Sequence, residues 1–300
     1  MKRILSSVTV IFISVITTHA SEDFATKFAE IKATGDDQKI QSFLNTSKVN
    51  QKDNPEYYAL SANYWWALSK KIVISSKPPQ KNDLSLTDTK TGKIAGSISD
   101  AGDVYPELRQ RALDTLTTGA KRFPYRADIV MGLAYIQREM KKYDECVSTL
   151  EKLIITAGAK PENILWTNGK KPAQKISEFI PELIQGYSGF FYQRGTDEDD
   201  KRCERLCKST ISAFPDHPMA YNMLAGLALA HNQNAEALGY LMTANKKAPN
   251  DPIIILNLGD TYAKLGKKLE AKEYYNKVAN SNFDEKYKNA ASQKLFLLNK

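Results

Sequence analysis

The sequence is poor in the residues on which disulfide-bonded and metal-binding proteins depend. It has three cysteines, Cys146, Cys203 and Cys207, and three histidines. Small exported domains that rely on disulfides carry more cysteines, in even number, so we predict a fold that does not depend on disulfides. Cys203 and Cys207 stand one helical turn apart, where parallel Cβ directions disfavour a disulfide. We expect them to pack in a helical core, and a redox pair or half of a metal site is the alternative.

Motifs for catalysis and phosphate binding are also missing. His217 and His231 do not form an HExxH pair, which excludes a zinc site of that kind. The glycine-containing stretches 89–93 and 167–171 lack the first glycine, and the Ser or Thr after the lysine, that a P-loop requires. The acidic run 197–200 lacks the alternation and glycine of a calcium loop, and it suits the first turn of a helix. The sequence therefore predicts no enzyme, no cofactor and no metal.

The apolar run near the N-terminus, residues 4–16, is too short to cross a bilayer. Lys2 and Arg3 precede it, and Thr18-His19-Ala20 follows with small residues where a signal peptidase reads. We predict a signal peptide over residues 1–20 and an exported, soluble protein that is periplasmic or secreted, without an integral membrane segment after cleavage. An N-terminal anchor is the alternative.

Removing Lys2 and Arg3 lowers the formal charge from +8 to +6, and the scattered lysines argue against nucleic-acid binding.

What the sequence has in abundance is repetition. Residues 218–251 and 252–285 align without a gap, and small and large residues recur at corresponding positions. The corresponding pairs are Ala225 and Gly259, Ala237 and Ala271, Leu224 and Leu258, Leu241 and Tyr275. Apolar residues at helical spacing on either side of a polar turn predict two helices per repeat. The helices should approach closely where the residues are small.

These residues resemble the tetratricopeptide repeat. The second repeat has the Leu-Gly pair, the tyrosines, the glycine and the alanine that the family favours, at Leu258, Gly259, Tyr262, Gly266, Ala271 and Tyr275. It lacks the late proline, since Phe283 stands there, and the first repeat departs from the pattern at Ala228 and Asn232. Weaker copies occupy 184–217, 128–154, 54–71 with 111–124, and 23–45.

The resemblance implies an all-α fold, a right-handed α-solenoid of antiparallel helix pairs, over residues 21–300 as a single domain. Residues 283–299 are predicted to form a C-terminal capping helix. An insertion at about 73–103 interrupts the helices, and its alternating Leu84, Leu86, Ile94 and Ile98 predict a β-hairpin. A loosely ordered loop is the alternative. A second long connection, 157–173, carries Trp166.

In the tetratricopeptide repeat family the first helices of the repeats line a concave groove, which binds a peptide or helix of another protein. The residues at the corresponding positions here are Met219, Asn222, Met223, Leu229, Ile253, Leu256, Asn257, Asp260 and Lys264. Asn222 and Asn257 are expected to hydrogen-bond a ligand backbone, and the methionines offer adaptable apolar contact. A basic clamp for a C-terminal carboxylate is not evident, because Asn222 and Gly226 stand where Lys and Asn are expected. The alternative is that some of these residues pack on the capping helix.

The sequence thus predicts a non-catalytic, exported scaffold or adaptor that binds a partner protein or peptide in its groove. A binding module for anionic envelope polymers, driven by the C-terminal lysines, is one alternative. An enzyme with a site in segments 73–103 and 157–173 is another. The sequence leaves open the partner, the oligomeric state and the redox state of the thiols.

Overall fold

The computed structural model describes residues 19–80, 84–103 and 105–298. Residues 1–18 of the predicted signal peptide lie outside the described residues, and its last two, His19 and Ala20, begin the first helix. The helices and strands are α1 His19–Ala33, α2 Asp37–Asn50, α3 Pro55–Leu68, β1 Lys70–Ser75, β2 Leu84–Thr87, β3 Ile94–Asp103, α4 Pro106–Arg122, α5 Ala127–Glu139, α6 Tyr143–Ala159, α7 Ile176–Arg194, α8 Asp197–Ala213, α9 Pro218–Ala230, α10 Asn234–Lys247, α11 Pro252–Lys264, α12 Lys268–Ala279 and α13 Glu285–Leu298. Within these ranges, no helix has the length and hydropathy needed to span a membrane.

Consecutive helices pack as pairs. The pairs α3 and α4, α7 and α8, α9 and α10, and α11 and α12 make the most extensive contacts between helices, and α13 packs on α12 and α11. Pro218 and Pro252 begin α9 and α11, where a missing N–H costs nothing. The side chain of Asp251 caps α11 by accepting hydrogen bonds from the N–H groups of Ile253 and Ile254. The predicted all-α fold of helix pairs with a capping helix is confirmed.

The turns within the pairs share one backbone feature, a residue in the left-handed region. The residues concerned are Gly35, Lys141, Gly195, Asn232 and Gly266, with φ between 59° and 74°. Asn232 therefore adopts the conformation that Gly266 adopts in the next repeat, although the sequence departs from glycine there. Asparagine enters this region more readily than most residues, so the departure leaves the turn intact.

The insertion between α3 and α4 is a three-stranded antiparallel sheet in the order β1-β3-β2. The predicted hairpin is present as β2 and β3, and Asp88 orders its turn by accepting hydrogen bonds from the N–H groups of Lys90 and Thr91. The prediction that the α3 helix extends to residue 71 is wrong. The helix ends at Leu68, because Lys70–Ser75 pairs with β3 instead.

The chain divides into two compact units, each described separately. The N-terminal unit contains residues up to Cys146 together with Leu165–Lys171, and the C-terminal unit contains Val147–Ile164 and Pro172–Lys300. The core of the N-terminal unit is aromatic. Its buried rings are Phe24, Phe28, Tyr57, Tyr58, Tyr64, Trp65 and Trp66.

A buried ion cluster fixes the start of α5 in the N-terminal unit. Arg126 is only 4% exposed, and its guanidinium pairs with Asp128 through two hydrogen bonds of 2.8 and 2.7 Å. The same guanidinium lies 2.7 Å from a carboxylate oxygen of Glu56 on α3. On the neighbouring backbone, Leu165 donates to the carbonyl of Tyr125 and accepts from the N–H of Ala127. This pairing attaches the connection that carries Trp166 to the start of α5.

Candidate functional site

The predicted groove residues lie on the first helices of the last two repeats, α9 and α11, in the C-terminal unit. Five of them, Met219, Asn222, Met223, Leu229 and Asn257, are half-buried. Ile253 and Lys264 are exposed. The remaining two, Leu256 and Asp260, contact another part of the same unit, and Asp260 keeps 32% of its side chain exposed.

This other part is the capping helix α13. Leu256 is 8% exposed and belongs to a hydrophobic cluster with Ala291 of α13. Lys294 of α13 places its Nζ 2.7 Å from both carboxylate oxygens of Asp260. The hydroxyl of Tyr275 also donates to Asp260 at 2.7 Å, and burial together with this bond raises the pKa of Tyr275. Both residues therefore serve the packing of α13, which is the alternative that the sequence left open.

Asn222 and Asn257 are brought together across the gap between α9 and α11. Nδ2 of Asn257 donates to Oδ1 of Asn222 at 2.8 Å. This bond uses one donor and one acceptor, so that Nδ2 of Asn222 and Oδ1 of Asn257 remain for other hydrogen bonds. In the described part of the chain neither of these two atoms has a protein partner. The pair thus presents one donor and one acceptor side by side.

Helix α7 adds a residue that the sequence reasoning missed. A Cβ placed on Gly226 of α9 would lie 3.4 Å from Oη of Tyr192, so the tyrosine packs across this glycine. Tyr192 keeps 37% of its surface exposed. It stands one 34-residue period before Gly226, so extending the alignment of groove positions into the degenerate repeat would have found it.

A small cavity lies where α7, α8 and α9 meet. Its lining residues are Pro181, Ile184, Gln185, Ser188, Cys207, Thr210, His217, Met219, Ala220 and Met223. The volume accessible to solvent is enough for about one water molecule. Two of the predicted groove residues, Met219 and Met223, line it. Burial lowers the pKa of His217, which the nearby charge of Glu182 opposes.

The thiols lie in the core, as the sequence predicts. Cys146, Cys203 and Cys207 are buried and none of them is in a disulfide. Burial raises the pKa of Cys146 to about 12. The pKa of Cys203 is raised by its hydrogen bond with Cys207 and by burial. Neither thiol has the lowered pKa that a reactive cysteine needs.

Comparison with known proteins agrees with the repeat pattern. Residues 254–285 match the family model described as tetratricopeptide repeat, which confirms the resemblance over the repeat that contains α11 and α12. No curated protein matches the chain. The similar solved structures include a tetratricopeptide repeat protein from Parabacteroides merdae, at 15% identity, TM-score 0.39, covering 94% of this chain and 88% of that one.

Two further structures are similar at the same low level. PilW, a widely conserved type IV pilus biogenesis factor, has 12% identity and a TM-score of 0.42, with 91% of this chain and 99% of that chain covered. YrrB, a tetratricopeptide repeat protein with an unusual peptide-binding site, has 13% identity and a TM-score of 0.43, with 83% and 97% covered.

Proposed function

We propose that the protein is a non-catalytic adaptor that binds an extended peptide segment of a partner protein across α9 and α11. The observation that carries this proposal is the pairing of Asn222 with Asn257, which presents one hydrogen-bond donor beside one acceptor. A peptide group offers the complementary C=O and N–H. Each hydrogen bond formed in this way adds about 0.5–1.5 kcal/mol net.

The side chains beside the asparagine pair supply apolar contact. Met219, Met223 and Leu229 are half-buried along the same helix, and Tyr192 is partly exposed next to Gly226. Methionine side chains adapt to ligands of different shape. The carboxylate of Asp260 is paired with Lys294, so it does not repel an acidic ligand. These features favour an apolar peptide held by its backbone.

The test is selection from a displayed library of random, terminally blocked peptides. We expect the wild-type protein to enrich a set of related peptides. The variant Asn222→Ala/Asn257→Ala should bind these peptides about 10- to 30-fold more weakly, because two hydrogen bonds are lost. The control Asn282→Ala/Asn289→Ala, which changes two exposed asparagines, should bind as the wild type does. Equal binding by both variants would place the site elsewhere, and no enrichment by the wild type would reject the proposal.

Export is part of the same proposal. It is supported by the basic start, the apolar run and the small residues at the end of segment 1–20. The N-terminal sequence of the protein isolated from its own cells tests it. A mature chain that begins at Ser21 supports export through a cleaved signal peptide, and a chain that keeps Lys2 and Arg3 contradicts it.

A further inference from the structure

The last three helices of the C-terminal unit bring a turn and a helix end to the same level. Helices α11, α12 and α13 follow one another through short turns, each reversing the direction of the one before, and α13 packs on both of the others. Nζ of Lys294 on α13 lies 2.7 Å from Asp260 on α11, and each of these two helices ends four residues after this contact. The end of α13 is therefore level with the turn between α11 and α12. We call these two segments, residues 264–272 and 294–298, the tip.

Large apolar side chains are exposed at the tip. Leu269, at the start of α12, keeps 79% of its surface exposed, and Phe296 and Leu297, near the end of α13, keep 63% and 65%. Their neighbours Leu295 and Leu298 pack against the hydrophobic cluster beneath α13 and hold the end of this helix in place. Exposed apolar side chains that gather in one place mark a contact surface, whereas single ones are common on any protein.

The tip also carries positive charge that no carboxylate neutralises. Four of its lysines are exposed, and none of the four forms an ion pair with another described residue: Lys264, Lys267, Lys268 and Lys272. Lys268 and Lys272 stand one helical turn apart on α12, beside Leu269. With Glu270 and Glu273 included, segment 264–273 has a formal charge of +2. The N-terminus of α12 adds its own partial positive charge, which disfavours lysine there and favours a bound anion.

We propose that the tip docks on an anionic lipid bilayer. Leu269, Phe296 and Leu297 enter the region of the lipid head groups, and the lysines lie against the lipid phosphates. Apolar side chains beside lysines are the combination that holds peripheral proteins to anionic membranes. A polyanion in solution would attract the lysines but would leave the apolar side chains in water. The inference goes beyond the proposed function, because it uses none of the residues that contact the peptide across α9 and α11.

Sedimentation with lipid vesicles tests the charge, with protein purified from its own cells. We expect binding to phosphatidylcholine vesicles that contain about 30% phosphatidylglycerol, and binding at least about tenfold weaker to pure phosphatidylcholine. Each lysine near an anionic surface contributes about fivefold, so Lys264→Gln/Lys267→Gln/Lys268→Gln should weaken binding about 100-fold. The matched control changes three exposed lysines at the opposite ends of their helices and should stay within about threefold of the wild type; it is Lys246→Gln/Lys277→Gln/Lys286→Gln.

A second pair of variants tests the apolar contact. Leu269→Ser/Leu297→Ser should weaken binding to the same vesicles by about tenfold or more, because less apolar surface leaves water on docking. Ile155→Ser/Met242→Ser changes two exposed apolar residues of the same unit that lie outside the tip, and it should bind as the wild type does. Circular dichroism of each variant shows that it is folded.

Several results would overturn the proposal. A wild-type protein that does not distinguish the two kinds of vesicle has no anionic-lipid site. Equal losses in the lysine variant and its control would show general attraction of a basic protein, and full binding by the leucine variant would show adsorption without apolar contact. A dimer that forms without lipid and depends on Leu269 and Leu297 would assign the tip to a second copy of the chain. The peptide selection described above is unaffected by any of these results, so the two proposals fail independently.

Discussion

The ring of Tyr275 lies against the backbone of Gly259. A Cβ placed on Gly259 would approach the ring Cδ1 to 2.7 Å, closer than side chains pack in proteins. One repeat earlier, Ala225 and Leu241 occupy the corresponding positions in a shared core. The larger residue of one helix is thus matched by the smaller residue of its neighbour.

The variant Gly259→Ala should therefore be destabilised by about 1–3 kcal/mol, because a methyl group is forced into a filled space. Adding Tyr275→Leu, which recreates the Ala–Leu pair of the preceding repeat, should recover part of this loss. Urea unfolding of the two variants and of Tyr275→Leu alone measures the coupling. Additive effects of the two substitutions would show that the ring and the glycine do not interact.

At Lys141 the opposite substitution, to glycine, should stabilise the protein. Lys141 is exposed and adopts φ of 59°, a conformation that costs a non-glycine residue roughly 1–2 kcal/mol. Lys141→Gly should raise the free energy of unfolding by a few tenths to about 1 kcal/mol, after the added flexibility of the unfolded chain is subtracted. Lys141→Ala, which keeps the strain, is the control. A Lys141→Gly variant with a lower unfolding midpoint than Lys141→Ala would contradict this account.

The stability of the N-terminal unit should be especially sensitive to substitution of the buried Arg126. Arg126→Met leaves the buried carboxylates of Asp128 and Glu56 without their cation, and we expect a loss of about 3–5 kcal/mol. Arg122→Met, which removes an exposed pair with Asp53, should cost less than about 1 kcal/mol. Tryptophan fluorescence in urea follows both variants, since Trp65 lies in this unit's core. Equal losses in the two variants would show that burial of the cluster does not matter.

His217 should make the protein less stable in mild acid. Its pKa in the folded protein lies below the ordinary value of 6.5, so the unfolded chain takes up a proton first as the pH falls. Stability is therefore constant above this range, declines as the pH falls through 6.5, and levels off below the folded pKa. The difference in unfolding free energy between wild type and His217→Leu, measured at pH 7.5 and 5.5, should change in this direction. An unchanged difference would mean that His217 titrates normally.

The three thiols should be unreactive in the native protein. Cys146, Cys203 and Cys207 are buried, and the pKa of Cys146 is raised to about 12 by burial. Thiolate is the reactive form, so Ellman's reagent should label none of them at pH 8 and all three in urea. Rapid labelling of even one native thiol would contradict the packing described for its helix.

The helices of the last two repeats are predictable from the sequence because their determinants are local. Apolar spacing, Pro218, Pro252 and the polar turns act within each helix and its neighbour. Strand β1 was not predictable in the same way, since Lys70–Ser75 follows α3 without a turn signal and its partner β3 lies far along the chain. Pairing between strands so far apart in the chain cannot be recognised from the local sequence pattern.

The candidate site, like the fold, was only partly predictable from the sequence. The family pattern indicated Asn222 and Asn257 as separate candidates, but their bond joins positions in two different repeats. Likewise, Leu256 and Asp260 match groove positions, and only the packing of α13 shows that Leu256 is buried and that Asp260 pairs with Lys294. Residue positions were predictable, whereas the contacts between helices that decide their availability were not.

The sheet between α3 and α4 has a practical consequence for engineering. Helices α3 and α4 pack directly on each other, as the pairs with short turns do, so the three strands form a removable cassette rather than a link in the core. Replacing residues 70–105 with a turn such as the Leu-Gly-Lys-Lys at 265–268 halves the length of the loop about three times over. Each halving lowers the free-energy cost of closing the loop by about 0.6 kcal/mol. The cassette is accordingly a site where the chain can be truncated, or a foreign hairpin grafted, without rebuilding the helices on either side.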